Sequence, residues 1–173
     1  MSFRFCPQCA TPLLDKPVDG AQRLRCPDTA CGFVHWDNPV PVVAAIVEHE
    51  NHIILARNAA WAVPFYALIT GFLEKHDPSP EEAVLREVKE ELGLDATQPA
   101  TFVGHYAFPR NNQIILAYHV VAEGTITLNE ELVDYKRILP QKLRYWPAAT
   151  GLALRDWLLS QGHTPEALEL PKL

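Results

Sequence analysis

The chain has 173 residues, 48% of them hydrophobic, enough for one full core with a small appended module and too few for two large domains. A formal charge of -6 argues against a DNA-binding protein, and no run approaches the roughly 18 uninterrupted apolar residues of a membrane span. The opening "MSFRFCPQCA" lacks the apolar centre of a signal peptide, so a soluble, cytoplasmic protein is expected, free of internal repeats and low-complexity segments.

All four cysteines come first, as Cys6-x2-Cys9 and Cys26-x4-Cys31, and none follows. Two short-spaced pairs separated by about 15 to 20 residues are the pattern of two turns that fold back to offer four thiolates to one Zn2+. Two disulfides or buried free thiols are the alternatives; a cytoplasmic setting disfavours the first, and free thiols rarely come in such pairs. The wider gap of the second pair leaves His35 as a substitute ligand. With little apolar sequence between Cys6 and Cys31, metal binding would supply most of the folding free energy, and four thiolates leave no open coordination position. The zinc would therefore be structural. Residues 1–36 are assigned to this zinc ribbon and 37–173 to a second domain.

After the turn-rich "HWDNPVP", the near-continuous apolar run 42–47 has the length and composition of a central strand. "ENH" turns the chain into a partner strand at 53–56, and the aromatic loop "RNAAWAVPFYAL" leads to a short strand ending at Gly71. Trp61, Phe65 and Tyr66 in that loop read as core packing or as ligand contacts. Ser79 as N-cap, Pro80 at the first helical position and Glu82 three residues after the serine mark a helix start, and Gly93 marks its stop. Within it Val84, Leu85, Val88 and Leu92 form an apolar stripe, and Glu87, Glu90 and Glu91 share the adjacent face with Ala83 and Leu94. Arg86 falls on the far side with Glu82 and Lys89, paired with Glu82 and able to lean toward Glu90. Like charges at these spacings cost about 0.2 to 0.5 kcal/mol each. The crowding becomes favourable if divalent cations sit against the carboxylates; a solubilising acidic face is the alternative. Further strands are expected at 101–108, 114–121 and 132–137, and an amphipathic helix at 151–160. Strands between two helices give an α/β sandwich with a mixed sheet.

The stretch from Gly71 to Leu94, "GFLEKHDPSPEEAVLREVKEELGL", resembles the Nudix box, whose second half, Arg-Glu-aliphatic-x-Glu-Glu-x-Gly-aliphatic, it matches at every position. One extra residue separates Gly71 from Arg86, and Asp77 stands nearest the place of the box glutamate that braces the arginine. The resemblance implies a Nudix α/β/α sandwich and hydrolysis of the pyrophosphate bond in a nucleoside diphosphate derivative. Glu87, Glu90 and Glu91 would hold two or three Mg2+ or Mn2+ ions, with the carbonyl of Thr70 as a further ligand.

A zinc ribbon directly before a Nudix domain is similar to the subgroup of bacterial NADH pyrophosphatases over nearly the whole chain, without the domain that precedes the ribbon in full-length members. This similarity implies a homodimer, places Phe72 against a substrate base, makes Glu131 a fourth acidic ligand or a surface residue beside Glu130, and puts Ala153 in a substrate loop. The subgroup's Gln-Pro-Trp-Pro-Phe-Pro element reads "GHYAFPRNNQ" here, retaining only Phe108-Pro109. NADH, NAD, FAD and ADP-ribose thus stay open as substrates. Tyr106 and Phe108 would stack on adenine or pack in the core, and Arg110 or Asn111 would contact phosphate or ribose. A nucleotide-sensing regulator that uses the ribbon to touch nucleic acid or protein is the competing reading, and the same chemistry permits NAD-capped RNA as substrate.

Overall fold

In the computed structural model, which describes residues 3–168, the chain divides into two units at Pro39 and Val40. The N-terminal unit has the strands β1 (Leu14–Val18) and β2 (Ala21–Arg25), an antiparallel hairpin closed by Asp19 and Gly20, both at positive φ (49° and 79°). Two left-handed residues in succession match the right-handed twist of the flanking strands. Its residues are mostly exposed, so no apolar alternation marks it in the sequence. The apolar packing beneath is small: Cys6, Leu13 and Cys26 are buried, with Leu24, Cys31 and Phe33 against them.

The second unit begins with β3 (Val40–His49) and β4 (His52–Asn58), joined through Glu50 and Asn51 at φ 49° and 62°. β5 (Ile69–Phe72) follows the aromatic loop and leads to α1 (Pro80–Leu92). After α1 come β6 (Asp95–Ala96), β7 (Thr101–Phe108), β8 (Gln113–Glu123), β9 (Leu132–Ile138), β10 (Arg144–Tyr145), α2 (Thr150–Ser160) and β11 (Glu166–Ala167). Seven strands form one sheet in the order β6-β8-β3-β4-β9, with β5 also paired to β3 and β7 to β8. β3 and β8 run parallel and the other pairs antiparallel, so the sheet is mixed.

Alternate residues of β3 explain why its sequence is apolar throughout. Val43, Ala45 and Val47 pack with Val84, Val88 and Leu92 of α1, whereas Ile46 packs with Leu154, Trp157 and Leu158 of α2 and Val42 and Ala44 pack with Ala153. A strand covered on both faces needs apolar side chains at every position. The result is an α/β/α sandwich.

Both ends of α1 are fixed by local chemistry. The Ser79 hydroxyl accepts the N–H of Glu82 at 3.2 Å, and Gly93, at φ 71°, donates its N–H to the carbonyl of Lys89 at 3.0 Å. The segment between β8 and β9 satisfies further C-terminal carbonyls: Thr127 donates to Leu92 at 2.8 Å and Asn129 to Glu91 at 3.3 Å. Gly93 lies under this segment, where a Cβ would stand 3.3 Å from Cβ of Thr127. Gly93→Ala is therefore expected to cost about 1 kcal/mol or somewhat more, measured as a lower urea midpoint at constant slope, because a left-handed residue other than glycine is strained.

Candidate active site

Two clusters of ligating side chains stand out, one in each unit. In the first, Sγ of Cys6 lies 3.6 Å from Sγ of Cys31, Sγ of Cys9 lies 3.5 Å from Sγ of Cys26, and all four ligand atoms fall within 4.8 Å of one another. Four sulfurs about 2.3 Å from one Zn2+ in a tetrahedron stand about 3.8 Å apart, so the set fits that ion. All four thiols are free, which removes the disulfide alternative. His35 takes no part: its Nε2 is 3.6 Å from a carboxylate oxygen of Asp37, and its ring meets Phe3 edge-on.

In the second unit, a cavity of about 1200 Å3 is lined by Glu87, Glu90 and Glu91 of α1, by Glu131, and by Thr70, Gly71 and Phe72 of β5. The carboxylates spread along its wall; among the described residues only the cysteines draw ligand atoms together to one point. Glu91 is the most enclosed, 6% exposed. Burial pushes its carboxyl up to about 8, and the neighbouring charges of Glu87, Glu131 and Glu90 add to the rise. Glu87 is raised as well, again first by burial, with the Arg86 guanidinium opposing the shift.

Arg86 organises this wall. Its Nε and Nη2 donate to the two carboxylate oxygens of Asp77 at 3.0 Å each, and Nη1 reaches Glu87 at 2.7 Å and Glu90 at 3.0 Å. Nη2 also donates to the carbonyl of Phe72 at 3.2 Å. Asp77 thus supplies the brace, and its second tie, accepting the N–H of Glu74 at 2.8 Å, fixes the loop in which the extra residue lies. The guanidinium beside Asp77 holds that carboxyl below the usual range. The helical wheel placed Arg86 on the far side with Glu82; instead its long side chain folds across α1 into the cavity wall, because three carboxylates and a carbonyl wait there.

Glu131 is positioned from outside α1. Asn129 accepts its N–H at 3.0 Å through the side-chain oxygen, and its carbonyl accepts the N–H of Ala59 at 2.8 Å. Since Asn129 also bonds the carbonyl of Glu91, the fourth carboxylate is tied to the helix that carries the other three. Gly71 makes the closest approach. A Cβ there would come within 1.9 to 2.4 Å of the Glu87 carboxylate.

Phe108, Arg110 and Asn111 line the same cavity. Tyr106 and Ala153, expected as substrate contacts, do not. The Tyr106 hydroxyl donates to Asp156 at 3.0 Å and its ring packs beside Phe108, while Ala153, fully buried, lies in the core with Val42 and Ile115. Tyr66 is turned away too, its hydroxyl on Asp134 and its ring under Lys136. Gln113 and Trp146 also line the cavity. Neither was picked out from the sequence; Trp146 carries a signal in its place just before the Pro-Ala-Ala-Thr-Gly start of α2.

The NUDIX domain profile matches residues 38–158, which contain the whole of this cavity lining. The chain belongs to the Nudix family. It is similar to a protein named NAD-capped RNA hydrolase NudC of Stutzerimonas stutzeri, 28% identical over 152 residues that make 87% of this chain and 53% of the relative. A protein of the same name in Chromobacterium violaceum is 32% identical over 124 residues, 71% of this chain and 44% of that one. The chain spans about half the length of the curated relatives it matches. A Nudix hydrolase structure from Nitrosomonas europaea superposes with a TM-score of 0.76 at 22% identity over 97% of both chains, a likeness of fold.

Gly71→Ala is expected to leave the melting temperature nearly unchanged, since the flexible end of Glu87 yields, yet to lower magnesium uptake in calorimetry by displacing that carboxylate. A second expectation concerns pH. The folded chain keeps a proton on Glu91 up to about pH 8, whereas the unfolded chain releases it near about 4.3, so metal-free protein should lose stability as pH rises between these values. Mg2+, which binds the charged form, should raise the melting temperature more at about pH 8.5 than at about 5.5, and Glu91→Gln should flatten both trends.

Proposed function

We propose that the chain hydrolyses the pyrophosphate bond of a nucleoside diphosphate derivative with the help of Mg2+ or Mn2+. The observation that supports it most is the meeting of four glutamates from two separate segments on one wall of one cavity. Hard oxygen donors suit these ions, and carboxylates strung along a wall suit two or three hydrated ions better than one enclosed ion. Glu87, Glu90, Glu91 and Glu131, with the Thr70 carbonyl, would hold them. When bound, the ions neutralise the diphosphate and make a coordinated water more acidic.

The chain's own residues do the positioning. Arg86 fixes Glu87 and Glu90 against the exit of β5, the exposed ring of Phe72 offers a face for a base, and Arg110 and Asn111 lie where phosphate or ribose would pass. A wall of four carboxylates, one of them buried, repels an anion unless cations intervene, so turnover should depend strictly on metal. The substrates that fit this reading are dinucleotides such as NADH, NAD and FAD, ADP-ribose, and RNA with an NAD cap, the last suggested by the relatives' name. One structural Zn2+ in the cysteine cluster, a cytoplasmic setting that keeps those thiols reduced, and a homodimer belong to the same reading.

The decisive experiment is turnover of these compounds by purified chain with Mg2+ or Mn2+, read as release of nucleoside monophosphates. Chelation should abolish it, and Glu91→Gln should lower kcat by about 100-fold or more while circular dichroism stays unchanged. Turnover by the variant equal to the parent would refute the ligand assignment. For the ribbon, metal analysis should find one zinc per chain, and Cys6→Ser should lose it together with thermal stability; a variant that melts like the parent would contradict a structural metal.

A further inference from the structure

The four sulfurs of the cysteine cluster lie close together but are unequal in access. Cys6 and Cys26 are buried and Cys31 is half-buried, whereas Cys9 is exposed. The Thr11 hydroxyl stands 3.3 Å from Sγ of Cys9 and can donate to that sulfur when it is a thiolate. A reagent arriving from solvent therefore meets Cys9 first. The contacts between sulfurs are ordered as well. Both close pairs, Cys9 with Cys26 at 3.5 Å and Cys6 with Cys31 at 3.6 Å, join the first turn to the second. The turns themselves are held by their own backbone. Cys6 donates its N–H to the Thr11 carbonyl and Ala10 donates to that of Cys6, each at 2.8 Å; Cys26 donates to Phe33 at 2.9 Å and Cys31 to Asp28 at 3.2 Å. Cys9 and Cys26 thus face each other across a gap that side-chain rotation can close to the roughly 2.05 Å of a disulfide.

We propose that Cys9 is an oxidation site: a hydroperoxide attacks its sulfur, and Cys26 then closes a disulfide with it that costs the ribbon its metal. The assignment rests on the structural-zinc reading and is independent of the pyrophosphatase reading. In the first step the Cys9 thiolate takes one oxygen as the peroxide O–O bond breaks, giving a sulfenic acid and hydroxide. In the second, the Cys26 thiolate attacks the Cys9 sulfur and the S–O bond breaks, releasing a second hydroxide. Two electrons leave the two sulfurs, and with two protons from solvent one hydrogen peroxide becomes two waters. The second step needs no access from solvent, so the burial of Cys26 is no obstacle. Only the Cys6 and Cys31 sulfurs then remain as thiolates, short of the four ligands that hold a structural Zn2+. A dithiol reverses the bond by exchange, which suits a reducing compartment that is only transiently exposed to peroxide.

The test treats the zinc-loaded chain with stoichiometric hydrogen peroxide, follows metal release with a chromogenic chelator, and maps the bond by mass spectrometry. Cleavage after Arg4, Arg23 and Arg25 puts Cys6 and Cys9 on one peptide and Cys26 and Cys31 on another, so a bond between turns links two peptides that a bond within a turn leaves separate. The expected product is a linked pair, assigned by fragmentation to Cys9 and Cys26, that forms in step with zinc release and is reversed by dithiothreitol with added zinc. A first bond within either turn or through any other pair, or zinc retained with Cys9 still reduced, overturns the proposal. Cys9→His offers a nitrogen ligand in place of the oxidisable sulfur and should keep one zinc per chain while losing it to peroxide about tenfold more slowly. Release from it as fast as from the parent overturns entry through Cys9; should the variant hold no zinc, the bond mapped in the parent decides alone. A parent chain that carries no zinc overturns the structural-zinc reading instead, and the bond mapped in that chain still decides the pairing.

Discussion

Everything in the second unit is arranged around the cost of placing like charges together beside a core. Glu91 sits where water is nearly excluded, its carboxyl raised to about 8, and Glu87 is raised beside it. In isolation that wall would be a liability. Arg86 offsets part of the repulsion with one guanidinium shared among Asp77, Glu87, Glu90 and the Phe72 carbonyl, and a bidentate geometry of this kind is beyond a lysine. The charge left over is what would attract the divalent cation of the proposed reading, and the destabilisation of the acids would then be recovered on metal binding.

The two units solve the problem of stability in opposite ways. The sheet and its helices bury apolar side chains on both faces of β3, and the site is added at the edge of an already sufficient core. The N-terminal hairpin has only a handful of buried side chains, two of them cysteines. There two of the four clustered cysteines are themselves part of the core, so a metal held by the cluster would make packing and coordination one and the same.

Much of this was legible in the sequence where the governing chemistry is local. Ser79, Pro80 and Gly93 fix α1 through bonds made within four residues, and the strand 101–108 appears with those bounds because its pattern is set by its own side chains. Where a position depends on distant partners, the sequence was silent or misleading. By periodicity alone Arg86 looked like an outward helical residue, because Phe72 at the end of β5 and Asp77 in the following loop lie outside the helix; the lean toward Glu90 and the brace by Asp77, suggested by the box resemblance, are both present. Tyr106 could equally face substrate or core, and the choice fell to Asp156; Ala153, which the resemblance put in a substrate loop, lies instead in the packing of α2 on β3 and β8. Glu131 and Glu130 are alike in composition; the difference is made by Asn129, whose side chain turns the backbone so that the second of them meets α1. An asparagine two residues before an acid is a readable turn signal, so that distinction was available.

The parallel pairing of β3 with β8 has a bearing on how the protein comes into being. Parallel neighbours need a crossover, and here the connection from His49 to Gln113 contains β4, β5 and the whole of α1, so the central ladder closes only after a long stretch of chain has been made. The helix with its three acids can rest on β3 and β5, which are made before it, and the later arrival of β8 completes the sheet beneath it at a loop-closure cost. Glu131, still further along, arrives after that. During synthesis the four glutamates emerge in sequence, and the last of them, Glu131, is made before β9 and α2, so the acidic wall is whole in the chain while the fold around it is still incomplete.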